Sequence, residues 1–178
     1  MLKKLLLAVV AVVGVFAIYV ALQPPEVRIA RQATIAAPPA AVFPHVNELK
    51  QWNAWSPWAK LDPNAKVAFE GPAAGDGAAF SWSGNDDIGE GKMTIVESRR
   101  SDLVKLRLDF VKPFAGTSVS EFTFKPEGDK TLVTWEMQSQ QSFLIRAMCI
   151  LFNGNKMVGD QFEQGLANLK AVSEGKPG

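Results

Sequence analysis

The spacing of apolar residues changes character along this chain, and each change predicts an element. From Asn155 to Val172, the apolar residues Val158, Phe162, Leu166, Leu169 and Val172 recur at three- and four-residue steps. At about 100° per residue they form one stripe. Asp160, Glu163, Gln164, Asn168 and Lys170 fall mostly on the other side. The pattern predicts an amphipathic helix, started at Gly154 and Asn155 and stopped by Gly175 and Pro177. At about 1.5 Å per residue it is roughly 27 Å long. A stripe of that length needs a matching surface to bury it.

Upstream the apolar period drops to two. Glu26–Ile35 alternates and predicts a strand. Ala37-Pro38-Pro39 breaks it, and Pro39 opens a short helix over Ala40–Val46, with Val42, Phe43 and Val46 as its apolar side. Glu48–Trp52 adds a further turn. Lys66–Glu70 predicts a short strand and Gly71–Gly77 a loop. Ala78–Ser83, Gly89–Ser98, Leu103–Val111, Thr117–Lys125 and Lys130–Gln140 predict a run of strands, with turns at Gly84–Ile88, Arg99–Asp102, Lys112–Gly116 and Pro126–Asp129. Phe143–Phe152 predicts a short helix leading into the long one. The order is that of an α+β fold: a curved antiparallel sheet of about seven strands wrapped around a long C-terminal helix, with two short helices after the first strand.

Register follows from the turns, because a hairpin turn fixes which residues face each other. Centring the four turns gives the rows Phe80–Met93–Leu108–Ser120–Met137 and Trp82–Gly91–Phe110–Ser118–Ser139, and a shorter row Ile95–Leu106–Phe122–Trp135. All four hairpins thus place their apolar residues on one face. Gly91 opposite Trp82 leaves room for the indole to lie across the neighbouring strand. The other face carries Lys92, Thr94, Lys105, Arg107, Asp109, Glu121, Thr123, Thr134 and Glu136, and is the solvent face. Glu97, near a strand end, is the one titratable group on the inner rows.

The N-terminus follows neither period. Lys3 and Lys4 precede Leu5–Leu22, a run without a charge. Its length is close to the minimum for a membrane-spanning helix. A cleaved signal peptide is the competing reading, but with Ala21 at the cleavage position the bulky Tyr19 occupies a site that wants a small residue. The expectation is a single-pass signal-anchor over residues 1–22. A stiff Gln23-Pro24-Pro25 linker follows, then one domain over 26–174 and a tail over 175–178. The two lysines keep the N-terminus in the cytoplasm, so the domain is expected on the extracytoplasmic, periplasmic side.

Charge narrows the partners. The net charge is +1, and Lys3 and Lys4 account for two of the 19 basic residues, so the domain is nearly balanced against its 18 acidic ones. That excludes the basic face a nucleic-acid partner requires. Catalytic and metal-binding motifs are lacking. His45 is the sole histidine, with no triad partner at suitable spacing, and reads as structural or solvated. Cys149, the sole cysteine, sits in an apolar run and reads as a small buried hydrophobe. Together they do not make a common zinc ligand set. Glu121 and Glu136 face each other across a hairpin, but on the solvent face. Asp86-Asp87 belongs to a turn, and Gly71–Gly77 lacks the Gly-Lys-Ser/Thr ending of a phosphate loop. Trp52, Trp55 and Trp58 crowd one short segment. They read either as packing where the short helices meet the sheet or as the rim of a cavity or a lipid contact.

Four stretches resemble a known family. Ile35-Ala-Ala-Pro-Pro-Ala-Ala-Val-Phe43 is similar to its strand-to-helix passage, and Trp52-Asn-Ala-Trp55-Ser-Pro-Trp58 to its tryptophan-rich segment. Lys125-Pro-Glu-Gly-Asp-Lys-Thr-Leu-Val-Thr-Trp135 is similar to a hairpin that usually has glycine where Lys130 stands. Gly159-Asp-Gln-Phe-Glu-Gln-Gly-Leu-Ala-Asn-Leu-Lys170 is similar to its closing helix. The chain resembles the SRPBCC (START-like, helix-grip) superfamily, in particular its polyketide cyclase/dehydrase-like branch, over about residues 27–173. The resemblance implies a helix-grip fold with a hydrophobic cavity between the long helix and the sheet. It implies no shared catalytic residue.

The expectation is therefore a membrane-anchored, non-enzymatic binding domain for a small hydrophobic or amphipathic ligand, with no cofactor, no metal and no nucleic acid. Its membrane contact runs through residues 5–22. The expected lining is Trp82, Met93, Leu108, Phe110, Ser118, Ser120, Phe122, Trp135 and Met137 from the sheet and Phe162, Gly165, Leu166 and Leu169 from the helix. An apolar wall with a few orienting hydroxyls is the usual make-up of a small-molecule site. The alternatives are a cyclase/dehydratase-type enzyme using the same cavity, and an interaction module of the cell envelope with the cavity collapsed.

Overall fold

The computed structural model describes residues 1–175; Pro177, expected to help stop the last helix, and the rest of the tail lie outside the described residues. Helix α1 (Leu2–Leu22) leads into β1 (Glu26–Ile35) and α2 (Pro39–Asn47). Two short 3-10 segments, Leu49–Ala54 and Pro57–Lys60, carry Trp52 and Trp58, with Trp55 capping the first. Six strands follow: β2 (Lys66–Glu70), β3 (Ala79–Ser83), β4 (Glu90–Arg99), β5 (Leu103–Lys112), β6 (Gly116–Glu127) and β7 (Lys130–Gln140). Helices α3 (Phe143–Phe152) and α4 (Gly154–Ser173) complete the order. Proline at the first turn of α2 fits because its missing N–H is one the helix leaves unbonded anyway. Asn153 takes a left-handed conformation, φ 53°, and turns α3 into α4.

The seven strands form one antiparallel sheet in the order β1-β7-β6-β5-β4-β3-β2. This is the helix-grip α+β architecture. Three of the four hairpins have the register expected from their turns: Phe80 faces Met93, Met93 faces Leu108, and Phe122 faces Trp135. The β5–β6 hairpin differs. Leu108 faces Ser118 rather than Ser120, Phe110 faces Gly116 rather than Ser118, and Val104 rather than Leu106 faces Phe122. Gly116, expected in the turn, is the first residue of β6, so the loop is centred one residue earlier and the pairing slips by two. Because side chains alternate with period two, a slip of two leaves every residue on its expected face.

A bulge makes the second correction. The β4–β5 register shifts between Ile95 and Glu97, leaving Val96 49% exposed. Beyond it Glu97 faces Lys105, an outer-face residue, and bonds Arg99 at 2.9 Å. The bulge therefore turns outward the one acid expected on the inner rows.

Helix α4 buries Phe162, Leu166 and Leu169 of the expected stripe together with Gly159 and Gly165, while Val158 and Val172 at its two ends are half-buried. It lies along β1 and touches β7, rather than crossing the middle of the sheet. Helix α2 and the tryptophan segments cover the neighbouring part of the concave face, with Phe43 edge-on to Phe124 at 5.6 Å. The concave ends of β2, β3 and β5 are covered least. Helix α1 stands apart from this core: it is long and apolar enough to cross a membrane, with mean hydropathy 3.0, and it touches the domain through α3.

Candidate functional site

The concave face divides into a packed floor and a half-open wall. On the floor, Phe162 stacks on Trp135 with centroids 4.0 Å apart and planes 7° from parallel, and Trp135 stacks on Phe122 at 4.7 Å. Trp55 meets both Phe122 and Trp135 edge-on, at 5.9 and 5.7 Å. Gly165 belongs to this contact: a Cβ there would lie 2.7 Å from Cζ3 of Trp135 and 3.1 Å from Cδ of Pro57. Glycine at 165 thus lets α4 approach the indole face. Phe122, Phe162, Leu166 and Leu169 are all 2% exposed or less. Six of the expected lining residues, Phe122, Trp135, Phe162, Gly165, Leu166 and Leu169, come together here as core.

The indoles on the floor are satisfied. Trp52 Nε1 donates to the Val46 carbonyl at 2.9 Å, and Trp55 Nε1 to the His45 carbonyl at 2.8 Å. Trp135 Nε1 donates to Ser120 Oγ at 2.9 Å, and that hydroxyl donates to the Glu136 carbonyl at 3.1 Å. Ser120 is therefore committed to holding Trp135. Trp52 and Trp55 are buried and Trp58 is half-buried against Trp135 and Phe162, so the tryptophan segment is packing.

The wall lies toward the end of the sheet where β1 begins and β7 ends. Its row, with the corrected register, is Phe80–Met93–Leu108–Ser118–Ser139–Val27. Beyond it Trp82 lies across Gly91, where a Cβ would sit 2.6 Å from Cζ2 of the indole. Trp82 Nε1 donates to the Ile88 carbonyl at 2.9 Å. Phe69, Phe80, Trp82 and Phe110 form an aromatic ladder with successive centroids 5.2, 6.0 and 6.0 Å apart. Met93 and Ser118 are buried, while Trp82, Leu108, Phe110 and Met137 are half-buried and Phe69 is 38% exposed. The ladder extends the expected lining by Phe69 and Phe80, and pairing β2 with β3 is what adds Phe69. Two depressions in the described surface lie away from this face. One of about 170 Å³ is on the outer face over Lys105, Val119, Glu121, Glu136 and Gln138. The other runs along bare α1.

Charge on the concave face of the strands comes from Arg31 alone. It alternates inward with Val27, Ile29, Ala33 and Ile35, an alternation visible in the sequence. Its guanidinium reaches under α4 to Gly159, whose missing Cβ makes the space, and Nε bonds Glu163 at 2.5 Å. On the outer face Glu121 and Glu136 do stand opposite each other. Each has its own cation: Lys105 at 3.4 Å and Arg28 at 2.5 Å. The Arg28 hydrogen bond holds the Glu136 carboxyl below the usual glutamate range. Burial pushes the Cys149 thiol up, against a weaker opposing contact from Gln141. That leaves less thiolate, the nucleophilic form. Among the described residues no group of three His, Cys, Asp or Glu side chains is placed to hold a metal.

Residues 26–174, the whole domain, match the family described as polyketide cyclase/dehydrase and lipid transport. The chain belongs to this family. Solved structures share its fold at low identity. A protein of Mesorhizobium loti, MLL2253, aligns with TM-score 0.62 and 14% identity over 83% of this chain and 97% of its own. CalU16 from Micromonospora echinospora aligns with TM-score 0.56 and 16% identity over 86% and 85%. Aha1 from Colwellia psychrerythraea, solved as a dimer in solution, aligns with TM-score 0.59 and 16% identity over 83% and 96%. No curated protein matches the sequence. Family membership fits a domain that binds or transforms a small hydrophobic ligand.

Proposed function

We propose that this protein is a membrane-anchored binding domain for a small hydrophobic or amphipathic ligand, held against the half-open wall of the cup. Helix α1 is its single-pass anchor. Lys3 and Lys4 stay on the cytoplasmic side and the domain stands on the far, periplasmic side. The observation that carries the reading is the ladder Phe69–Phe80–Trp82–Phe110, left half-covered beside Leu108, Met137 and the facing hydroxyls of Ser118 and Ser139. Apolar area with a few polar groups suits an amphipathic molecule.

The test is displacement of an apolar fluorescent probe such as 1-aminoanthracene from the full chain in detergent. Wild type brightens the probe, and Trp82→Ala weakens its binding several-fold when both are compared well below the variant's own, lowered melting temperature. Equal probe binding by wild type and Trp82→Ala would place the ligand elsewhere, and no binding by either would remove the site.

The family's cyclase/dehydrase members favour a second reading, chemistry on an apolar substrate in the same cup. It requires an acid or base beside the ligand. The strands supply Arg31 alone to that face, engaged by Glu163, which favours binding over catalysis.

A further inference from the structure

We propose that α3, the start of α4 and the β5–β6 loop form a lipid-seating face that presses this end of the domain into the bilayer surface, so that the cup opens toward lipid rather than water. This rests on reading α1 as a membrane anchor. Helix α3 carries a single charge, Arg146. Its Nη1 donates to the carbonyl of Gln23, the residue capping α1, at 2.9 Å, and its Nε is buried. Val20 of α1 is fully buried at the same joint. Helix α3 is thereby held where the apolar run of α1 ends. A cation at a helix C-terminus also complements the partial negative charge there.

The other side of α3 has no protein cover. Phe143, Leu144, Leu151 and Phe152 are 47–62% exposed, and Met157 at the start of α4 is 61% exposed. At about 100° per residue the four α3 positions share one half of the helix. The sheet repeats the asymmetry. The end at which β1 begins and β7 ends also holds the close of β5, with Val111 54% exposed, and the β5–β6 loop, with Phe114 43% exposed. The opposite end turns through Arg99–Asp102 and Glu127–Lys130, which are polar and charged. Asp86 and Asp87 are acidic and lie at the α1 end, but on the β3–β4 turn, between three and four strands from β7. At about 4.8 Å per strand that is at most roughly 19 Å from β7. The surface where α1 leaves therefore carries these apolar groups beside the exposed charges of Glu26, Lys112 and Lys156, while the opposite end turns through polar and charged residues alone.

Exposed apolar patches rimmed by polar residues mark interaction sites, and a helix with an apolar face lies readily at the headgroup level. Lipid is the occupant because the anchor holds this face at the depth where α1 emerges. Ser118, Ser139 and Phe110 lie at the same end of the sheet, so a ligand drawn from the membrane reaches the wall without crossing bulk water.

Depth-resolved quenching of the full chain tests this. In a Cys149→Ala background, single cysteines at Phe152→Cys, Leu144→Cys, Val10→Cys and Asp129→Cys are labelled with an NBD fluorophore. The labelled chains are placed in vesicles of phosphatidylcholine with a minor share of phosphatidylglycerol. Labels at 144 and 152 are expected to be quenched several-fold more by headgroup-level nitroxide lipid than by aqueous iodide. A label at 129 is expected to show the reverse, and a label at 10 to respond to deep nitroxide lipid. The seating face is overturned if 144 and 152 behave like 129 while 10 stays in the bilayer. It is also overturned if they sit in an apolar setting that nitroxide lipid does not quench, which would point to a second copy of the chain. A label at 10 that iodide reaches would instead remove the anchor reading. The seating face would then stand only if 144 and 152 were still quenched from lipid.

Discussion

Ser120 shows how one side chain spends its chemistry. It sits among the hydroxyls that first suggest orienting groups for a ligand, but its oxygen accepts the Trp135 indole N–H and its hydrogen goes to the Glu136 carbonyl. Ser120→Ala should leave a buried indole donor without a partner and cost about 1–3 kcal/mol, read as a lowered urea midpoint with an unchanged slope. Gly165→Ala should cost a similar amount for a different reason. Its new methyl meets Trp135 at 2.7 Å and Pro57 at 3.1 Å, and overpacking of this kind costs roughly 1–3 kcal/mol. The same midpoint measures it. At Glu136 the prediction concerns pH. The Arg28 hydrogen bond, assisted by Gln138, depresses its folded pKa. The resulting stability is present above the unfolded glutamate pKa and is lost as pH falls through the folded one. Arg28 is largely exposed, so solvent screening keeps the contribution small. Glu136→Gln should flatten part of the acid limb of stability against pH while changing the neutral midpoint little.

Among the elements, the strand and helix spans were legible because the sequence switches cleanly between periods of two and about 3.6. Register was legible only where the turn was. The β3–β4, β4–β5 and β6–β7 pairings follow from their turns. The β5–β6 pairing slipped by two because Gly116 looks like a turn residue and serves as a strand residue. The Val96 bulge left no composition signal: nothing in Thr94-Ile-Val-Glu97 distinguishes a bulge from a regular strand. Arg31 was missed: β1's alternation places it inward, but the sequence rows stopped at β7 and did not include β1. Strand β1 is an edge of the sheet, and an inward-pointing charge on an edge discourages pairing with another chain. Arg31→Leu should keep the fold and increase self-association, read by sedimentation of the detergent-solubilised chain. An unchanged monomer fraction would remove that role.

At the scale of the whole molecule, the apolar concave face was visible in the sequence, but its division was not. Rows of alternating residues name a surface without saying what fills it. Where Phe122, Trp135 and Phe162 stack, the tryptophan segment closes the space; where Trp82, Leu108 and Phe110 lie, the domain covers them only in part. The difference depends on α4 running along β1, an offset that helix periodicity cannot report. The unclosed end is also the end that carries α1 and the exposed face of α3, which joins the binding reading to the membrane reading. The most direct measurement is native mass spectrometry of the full chain released from membranes in mild detergent, beside a variant of the half-buried Ser139, Ser139→Phe, that fills the wall. A small hydrophobic molecule should be bound to wild type and absent from Ser139→Phe, with the variant still melting cooperatively. A wild type that carries no such molecule, and whose melting temperature is unmoved by a panel of lipids and aromatic compounds, would contradict the binding reading.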